Sequence, residues 1–195
     1  MKKVILLIVV SLFVISTTNA QKIKVESGDL KFLKEVAEVN IEMEYPEDMK
    51  YGKTTLKEYV DKQVTAKEKK KEGSGEAWKE NFYSDRGSYN FQFVDAFGKY
   101  TGDLYVDEND PELEYTMNVK TTFMEPGFFI GIRSKQATID LLVTFFKTDD
   151  PDNILATVKI SKAPGAAAPD ANLRMSDAYF TAARTFGKYL KKKYL

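Results

Sequence analysis

EYTMNVKTTFMEPGFFIGIRSKQATIDLLVTFFKTDDPDNILATVKIS, from Glu114 to Ser161, is the stretch whose reading decides the fold. Tyr115, Met117, Val119, Thr121 and Phe123 alternate with Thr116, Asn118, Lys120 and Thr122. Ile139, Leu141, Val143 and Phe145 repeat the alternation, and Ile154, Ala156, Val158 and Ile160 do so a third time. A period of two sends successive side chains to opposite faces of a strand, so three strands share one apolar face. Between the second and third, Thr148-Asp149-Asp150-Pro151-Asp152-Asn153 has the composition of a turn and predicts a hairpin.

Towards the amino terminus, Val39, Ile41, Met43 and Tyr45 predict a fourth strand, ended by Pro46. Thr55 with Glu58 fits a capping box, and Leu56, Tyr59, Val60 and Val64 form the stripe of a helix that stops at Gly73-Ser74-Gly75. Trp78, Phe82, Phe93, Val94, Phe97 and Tyr100 mark a second helical stretch. It is expected to break at Asp85-Arg86-Gly87-Ser88 and to close at Gly102. Gln21 to Lys34 reads as a leader with a turn at Ser27-Gly28-Asp29, and Ala163 to Asn172 as irregular chain. Ser176 fits the N-cap of a last helix whose apolar face is Tyr179, Phe180, Ala183, Phe186 and Leu190. The expected fold is α+β: a two-layer sandwich with a largely antiparallel sheet of four strands, or slightly more. Helices cover one face in the order β-α-α-β-β-β-α.

Met1 to Ala20 has the plan of a secretory signal: Lys2 and Lys3, the apolar run Val4 to Ile15, and a small residue at Ala20. The run is shorter than the about 20 residues a membrane-crossing helix needs, and no later run is long enough. Residues 21–195 are then one domain, large enough to hold its fold by its core alone. The chain has no cysteine, so neither disulfides nor a lipid anchor at the signal junction is expected. The expected location is the periplasm or the medium. Losing Lys2 and Lys3 leaves 27 basic against 29 acidic residues, a net −2, without the basic excess of a nucleic-acid binder.

Absence of histidine as well as cysteine removes Ser-His-Asp and Cys-His nucleophile systems and the usual zinc sites. Gly52-Lys53-Thr54 imitates the end of a P-loop, but Glu47 stands where the first glycine belongs. From Asp107 an EF-hand reading meets Pro111 where an oxygen ligand belongs and Asn118 where the closing glutamate belongs, so the acidic loops read as turns. No metal and no cofactor is expected. Glu42 and Glu44, two residues apart on a polar strand face that is expected to include Asp140, have glycosidase-like spacing, as any i, i+2 pair in a strand does. An open sheet face offers no desolvated cleft to raise an acid's pKa, so they read as solvated carboxylates and no catalytic residue is assigned.

Two residues break the alternation. Leu142 and Phe146 fall on the face of Thr138, Asp140 and Thr144, and the Phe128–Ile132 segment or the Ala163–Asn172 loop is expected to cover them. Phe128, Phe129 and Arg133, with Leu142 and Phe146, are the candidate binding residues.

Three segments carry a resemblance: Lys120 to Phe128 with Gly131, Lys159 to Gly165, and Arg174-Met175-Ser176-Asp177-Ala178-Tyr179. Together with Val25 to Leu30 and Val39-Asn40, the chain resembles a group of uncharacterised exported proteins of Bacteroidetes. The resemblance implies export and carries no site residue. The layout is also similar, more loosely, to small periplasmic α+β envelope domains such as the amino-terminal domain of the Tol-system propeller protein. The function expected is a non-enzymatic envelope or secreted module that binds an envelope protein or a surface polymer. A small-ligand carrier with a pocket between sheet and helices is the alternative, and a carboxylate-dependent glycan hydrolase a third.

Overall fold

Val25, Val158, Val143, Val119 and Met43 are cross-strand partners in turn, a single rung that crosses five strands. The middle three are buried and the outer two pack against the core. The computed structural model describes residues 21–195; the secretory signal read in Met1–Ala20 lies outside the described residues. Strands β1 (Lys22–Gly28), β2 (Glu38–Glu44), β3 (Lys50–Tyr51) and β4 (Thr54–Thr55) come first, with a 3-10 turn at Lys31–Glu35. Helices α1 (Leu56–Glu68) and α2 (Ser74–Thr101) follow, then β5 (Tyr105–Glu108) and β6 (Tyr115–Glu125). The chain continues through β7 (Phe128–Phe129), β8 (Ser134–Lys135), β9 (Thr138–Lys147), β10 (Asp150–Pro164) and α3 (Ala171–Lys193).

The sheet corrects the expectation of four largely antiparallel strands in the order β-α-α-β-β-β-α. It has 8 strands in the order β1-β10-β9-β6-β2-β5, with β3 and β4 beside the far end of β6. It is mixed: β1, β10, β9 and β6 run antiparallel, whereas β2 is parallel to both β5 and β6. The β2–α1–α2–β5 crossover produces the parallel pair, since parallel neighbours need a long connection. The chain then passes from β5 over β2 to β6. Asn40, buried beneath that passage, donates to Thr116 Oγ1 at 3.1 Å and accepts from the Asp110 N–H at 2.9 Å.

Helices α2 and α3 supply the cover. Phe93, Ala96 and Phe97 on α2 and Tyr179, Ala182, Ala183 and Phe186 on α3 are buried at the three- and four-residue spacings of one helix face. Phe186 bridges the layers, 5.6 Å from Phe97 and 6.4 Å from Phe145 of β9 between ring centroids. Burying one such ring contributes about 1.5–3 kcal/mol.

Several local expectations change for identifiable reasons. The Gln21–Lys34 leader contains β1, paired with β10. Phe123 leaves the apolar face because a bulge between Thr121 and Phe123 flips the parity, so that Met124 is buried in its place. Helix α2 runs unbroken through Asp85–Ser88. The Arg86 guanidinium lies 4.3 Å over Tyr83 and 4.9 Å over Tyr45, contacts that outweigh the propensity cost of about 1 kcal/mol at Gly87. Helix α3 starts five residues before Ser176, capped by Asp170, whose side chain accepts from the Leu173 N–H at 2.8 Å. The Thr55–Glu58 capping box forms as read.

Candidate functional site

Strands β6 and β9 pair from Tyr115–Lys147 to Glu125–Thr138, and beyond the sheet the same ribbon continues as β7 and β8. Phe128 lies opposite Lys135 and Phe129 opposite Ser134. The Ile130 N–H donates to the Arg133 carbonyl at 2.9 Å, and Gly131, at φ 75°, turns the chain. Every residue from Phe128 to Gln136 is exposed. Four of them are large and apolar: Phe128, Phe129, Ile130 and Ile132, the last 95% exposed at the tip.

The base of this hairpin is held firmly. Arg174, buried at the start of α3, donates through Nε to the Pro126 carbonyl at 2.8 Å and through Nη1 to Ala168 and Pro169 carbonyls at 2.6 and 2.8 Å. Glu125 pairs with Lys135 at 2.8 Å and accepts from the Gly127 N–H at 3.3 Å. Gly127 sits at φ 63°, where a Cβ would collide with the Lys135 and Gln136 backbone. The hairpin thus combines a fixed base with an apolar, solvated tip.

Leu142 and Phe146 do not join it. Thr138 to Phe146 spans about 26 Å of strand, so Phe146 lies at the opposite end of β9 from the hairpin. Neither expected lid covers the pair. The Phe128–Ile132 segment stands out in solvent. Of the stretch Ala163–Asn172, read as irregular, β10 takes Ala163 and Pro164 and α3 takes Ala171 and Asn172. The remaining loop is tied to the hairpin base through Arg174 and to Ala137, whose carbonyl accepts from the Gly165 N–H at 2.9 Å. Both residues are instead half-buried among neighbours in the sheet, Leu142 between Lys120 and Lys159, Phe146 between Thr116 and Ile154. Of the five residues singled out, the structure thus brings together Phe128, Phe129 and Arg133. Ile130 and Ile132 were not singled out, although Pro126-Gly127 and Gly131 at that spacing signal a hairpin tip.

The carboxylates have structural occupations. Glu44 pairs with Lys120 at 2.8 Å, and Glu42 accepts from Asn40 Nδ2 at 3.5 Å. Asp140 Oδ1 accepts from the Lys162 N–H at 2.7 Å, bracing the bulge of β10 where Lys162 takes φ 57°. Strand β6 separates Asp140 from both glutamates, with Lys120 standing between Glu44 and Leu142. Among the described residues, no group of three or more Asp or Glu could hold a metal ion.

A concavity opens beside the hairpin base, between the end of the sheet and the helices. It has a volume of about 270 Å³ and is lined by Tyr51, Tyr59, Trp78, Phe82, Asp85 and Tyr89, with Pro126 at its edge. Trp78 and Phe82 stack at 5.0 Å, and Tyr51 and Tyr59 lie 4.3 Å apart. Burial, together with neighbouring Tyr59 and Tyr89, pushes the Tyr51 phenol well above its ordinary pKa, so the lining is neutral apart from Asp85.

No helix among the described residues is long and apolar enough to cross a membrane. No protein-family model matches the chain, and no curated protein matches it. Among solved structures it is similar to the PelC dodecamer from Paraburkholderia phytofirmans, at 7% identity, covering 85% of this chain and 96% of that one with a TM-score of 0.43. A point variant of the same dodecamer gives 8% identity, 84% and 96% coverage and a TM-score of 0.41. A likeness at this level carries no residue, ligand or assembly over to the present chain.

Proposed function

We propose that the chain is an exported, non-enzymatic binding or assembly module of the cell envelope, whose contact element is the Phe128–Lys135 hairpin. One observation carries the reading: four large apolar side chains stand in solvent on a ribbon whose base is locked by Arg174, Glu125 and Gly127. Exposed apolar side chains gathered on one element mark an interaction site. The occupied carboxylates and the absence of histidine and cysteine argue against catalysis. An envelope protein or a surface polymer is the class of partner read from the sequence.

Changing Phe128 and Phe129 together to serine should abolish capture of the partner from envelope extracts. Stability should stay within about 0.5 kcal/mol, because surface changes rarely do more. Capture unchanged by the double substitution would remove the hairpin from the function.

The aromatic cleft favours a second reading, a small-ligand carrier. In that case the purified protein should retain a small molecule visible in native mass spectra, and Trp78→Ala should release it. A bare protein mass in every preparation would end this reading.

A further inference from the structure

Resting on the reading of the hairpin as the contact element, we infer that what it contacts is a lipid surface bearing anionic headgroups, into which the tip dips without crossing. The first argument is shape and chemistry together. In an antiparallel ribbon opposite residues share a face, so Phe128 and Ile130 project on the same side as Lys135 and Arg133, with Ile132 at the apex. Ile132 thus leads, and each cation lies level with an apolar side chain across the ribbon. That arrangement lets the apolar groups enter the acyl boundary while the long side chain of Arg133 reaches back to phosphate, Lys135 being paired with Glu125 at the base.

Depth gives the second argument. Phe128 to Gly131 covers about 10 Å of extended chain, which matches the 5–10 Å burial of interfacial membrane elements. The locked base stops further entry, since the ribbon widens there into the eight-stranded sheet. Size gives the third. A stable protein–protein interface takes about 20–30 residues a side, whereas the exposed hairpin has only Phe128 to Lys135 to offer. Lipid demands no complementary partner surface and rewards a small convex apolar tip.

The test is co-sedimentation of the chain from Gln21 to Leu195 with vesicles, so that the apolar Val4–Ile15 run contributes nothing. Residues 21–195 contain every element of the sheet and its helical cover. Vesicles of phosphatidylcholine with a minority of phosphatidylglycerol are compared with pure phosphatidylcholine. The protein should pellet with the mixed vesicles and less with the neutral ones. Ile130→Ser with Ile132→Ser should lower the partition by about tenfold or more, as expected when two large apolar side chains lose their burial. Arg133→Gln should weaken binding to the mixed vesicles only. Phe91→Ser, which removes an equally exposed apolar ring from α2, should change nothing.

Binding to neither vesicle, or binding indifferent to the isoleucine pair, overturns the inference. If hairpin-dependent capture from lipid-free extracts persists meanwhile, the binding-module reading survives and its partner is a protein or polymer. Hairpin-dependent self-association in sedimentation, without vesicle binding, also overturns the inference and assigns the tip to a second copy of this chain.

Discussion

Arg174→Met should destabilise the protein by about 3–5 kcal/mol, a large loss for one substitution. The side chain is 5% exposed, and its guanidinium ties three separate pieces of chain together. Nε holds the Pro126 carbonyl at the hairpin base, while Nη1 holds the Ala168 and Pro169 carbonyls in the loop that leads into α3. Methionine fills much of the volume of the stem but donates nothing, so the Pro126 and Ala168 carbonyls lose a charged partner in a poorly hydrated place. A hydrogen bond to a charged group contributes about 1.5–3 kcal/mol, and the more exposed Pro169 carbonyl recovers part of its share from water. Lysine should rescue only in part, because an ammonium cannot reproduce the angular spread of Nε and Nη1. Urea unfolding at constant m reads the loss, and hydrogen exchange should show faster opening around Gly127 and Lys135. A loss below about 1 kcal/mol would mean that water replaces the guanidinium, and the locked base would have to be given up.

Alternation made the core legible because each buried strand face carries an unbroken run of apolar residues. The alternation alone places Val119, Val143 and Val158 on one face, and they are consecutive partners in one rung. What stayed hidden were strands too short or too polar to show a period. Ile23 and Val25 are the only apolar residues in the β1 run before Ser27, and β5 offers Val106 among Tyr105, Asp107 and Glu108. Parallel pairing was invisible for another reason. Nothing in Glu38–Glu44 says which neighbours it takes; the α1–α2 crossover and the passage over Asn40 decide that. Bulges hide for a third reason, since one extra residue changes no composition, and Phe123 consequently changed faces.

The candidate site was half legible. Phe128 and Phe129 stood out as apolar residues after a Pro-Gly break, and Arg133 lay within reach. Leu142 and Phe146 were grouped with them only because they violate the same alternation. A shared violation is no measure of distance, and the length of β9 separates Phe146 from the hairpin. The aromatic cleft was illegible as a cleft. Tyr51, Tyr59, Trp78 and Phe82 come from three elements that meet only because β3 pairs beside β6 at the hairpin base.

Raising the pH above 10 should unfold the protein cooperatively, and the cause lies in the same aromatic layer. Tyr45, Tyr51, Tyr89 and Tyr179 are all held protonated well above the ordinary phenol range, in each case first because burial penalises the phenolate. Secondary causes add to this: the carboxylates of Asp85 and Asp170 near Tyr89, and Tyr45 beside Tyr179. The Tyr179 hydroxyl shares a 2.7 Å hydrogen bond with Thr121, and its ring stacks on Tyr89 at 5.2 Å. Below about pH 10 these phenols are protonated folded or unfolded, and their contribution is fully present. Above it the unfolded chain releases the protons while the folded one keeps them, so stability falls by about 1.4 kcal/mol per pH unit for each tyrosine. Four together give about 6 kcal/mol per unit, against a total stability of about 5–15 kcal/mol for an ordinary domain. Unfolding should therefore complete within about one to three units above pH 10, with phenolate absorbance and loss of helical circular dichroism rising in one transition. Between about pH 6 and 9 stability should be flat, because the chain has neither histidine nor cysteine to titrate there. Tyr179→Phe removes one of the four phenols and should shallow the alkaline slope by about a quarter. Phenolate forming gradually while the circular dichroism stays native would show that water reaches these rings, and the close-packed contact between α2, α3 and the sheet at Tyr45, Tyr89 and Tyr179 would be wrong.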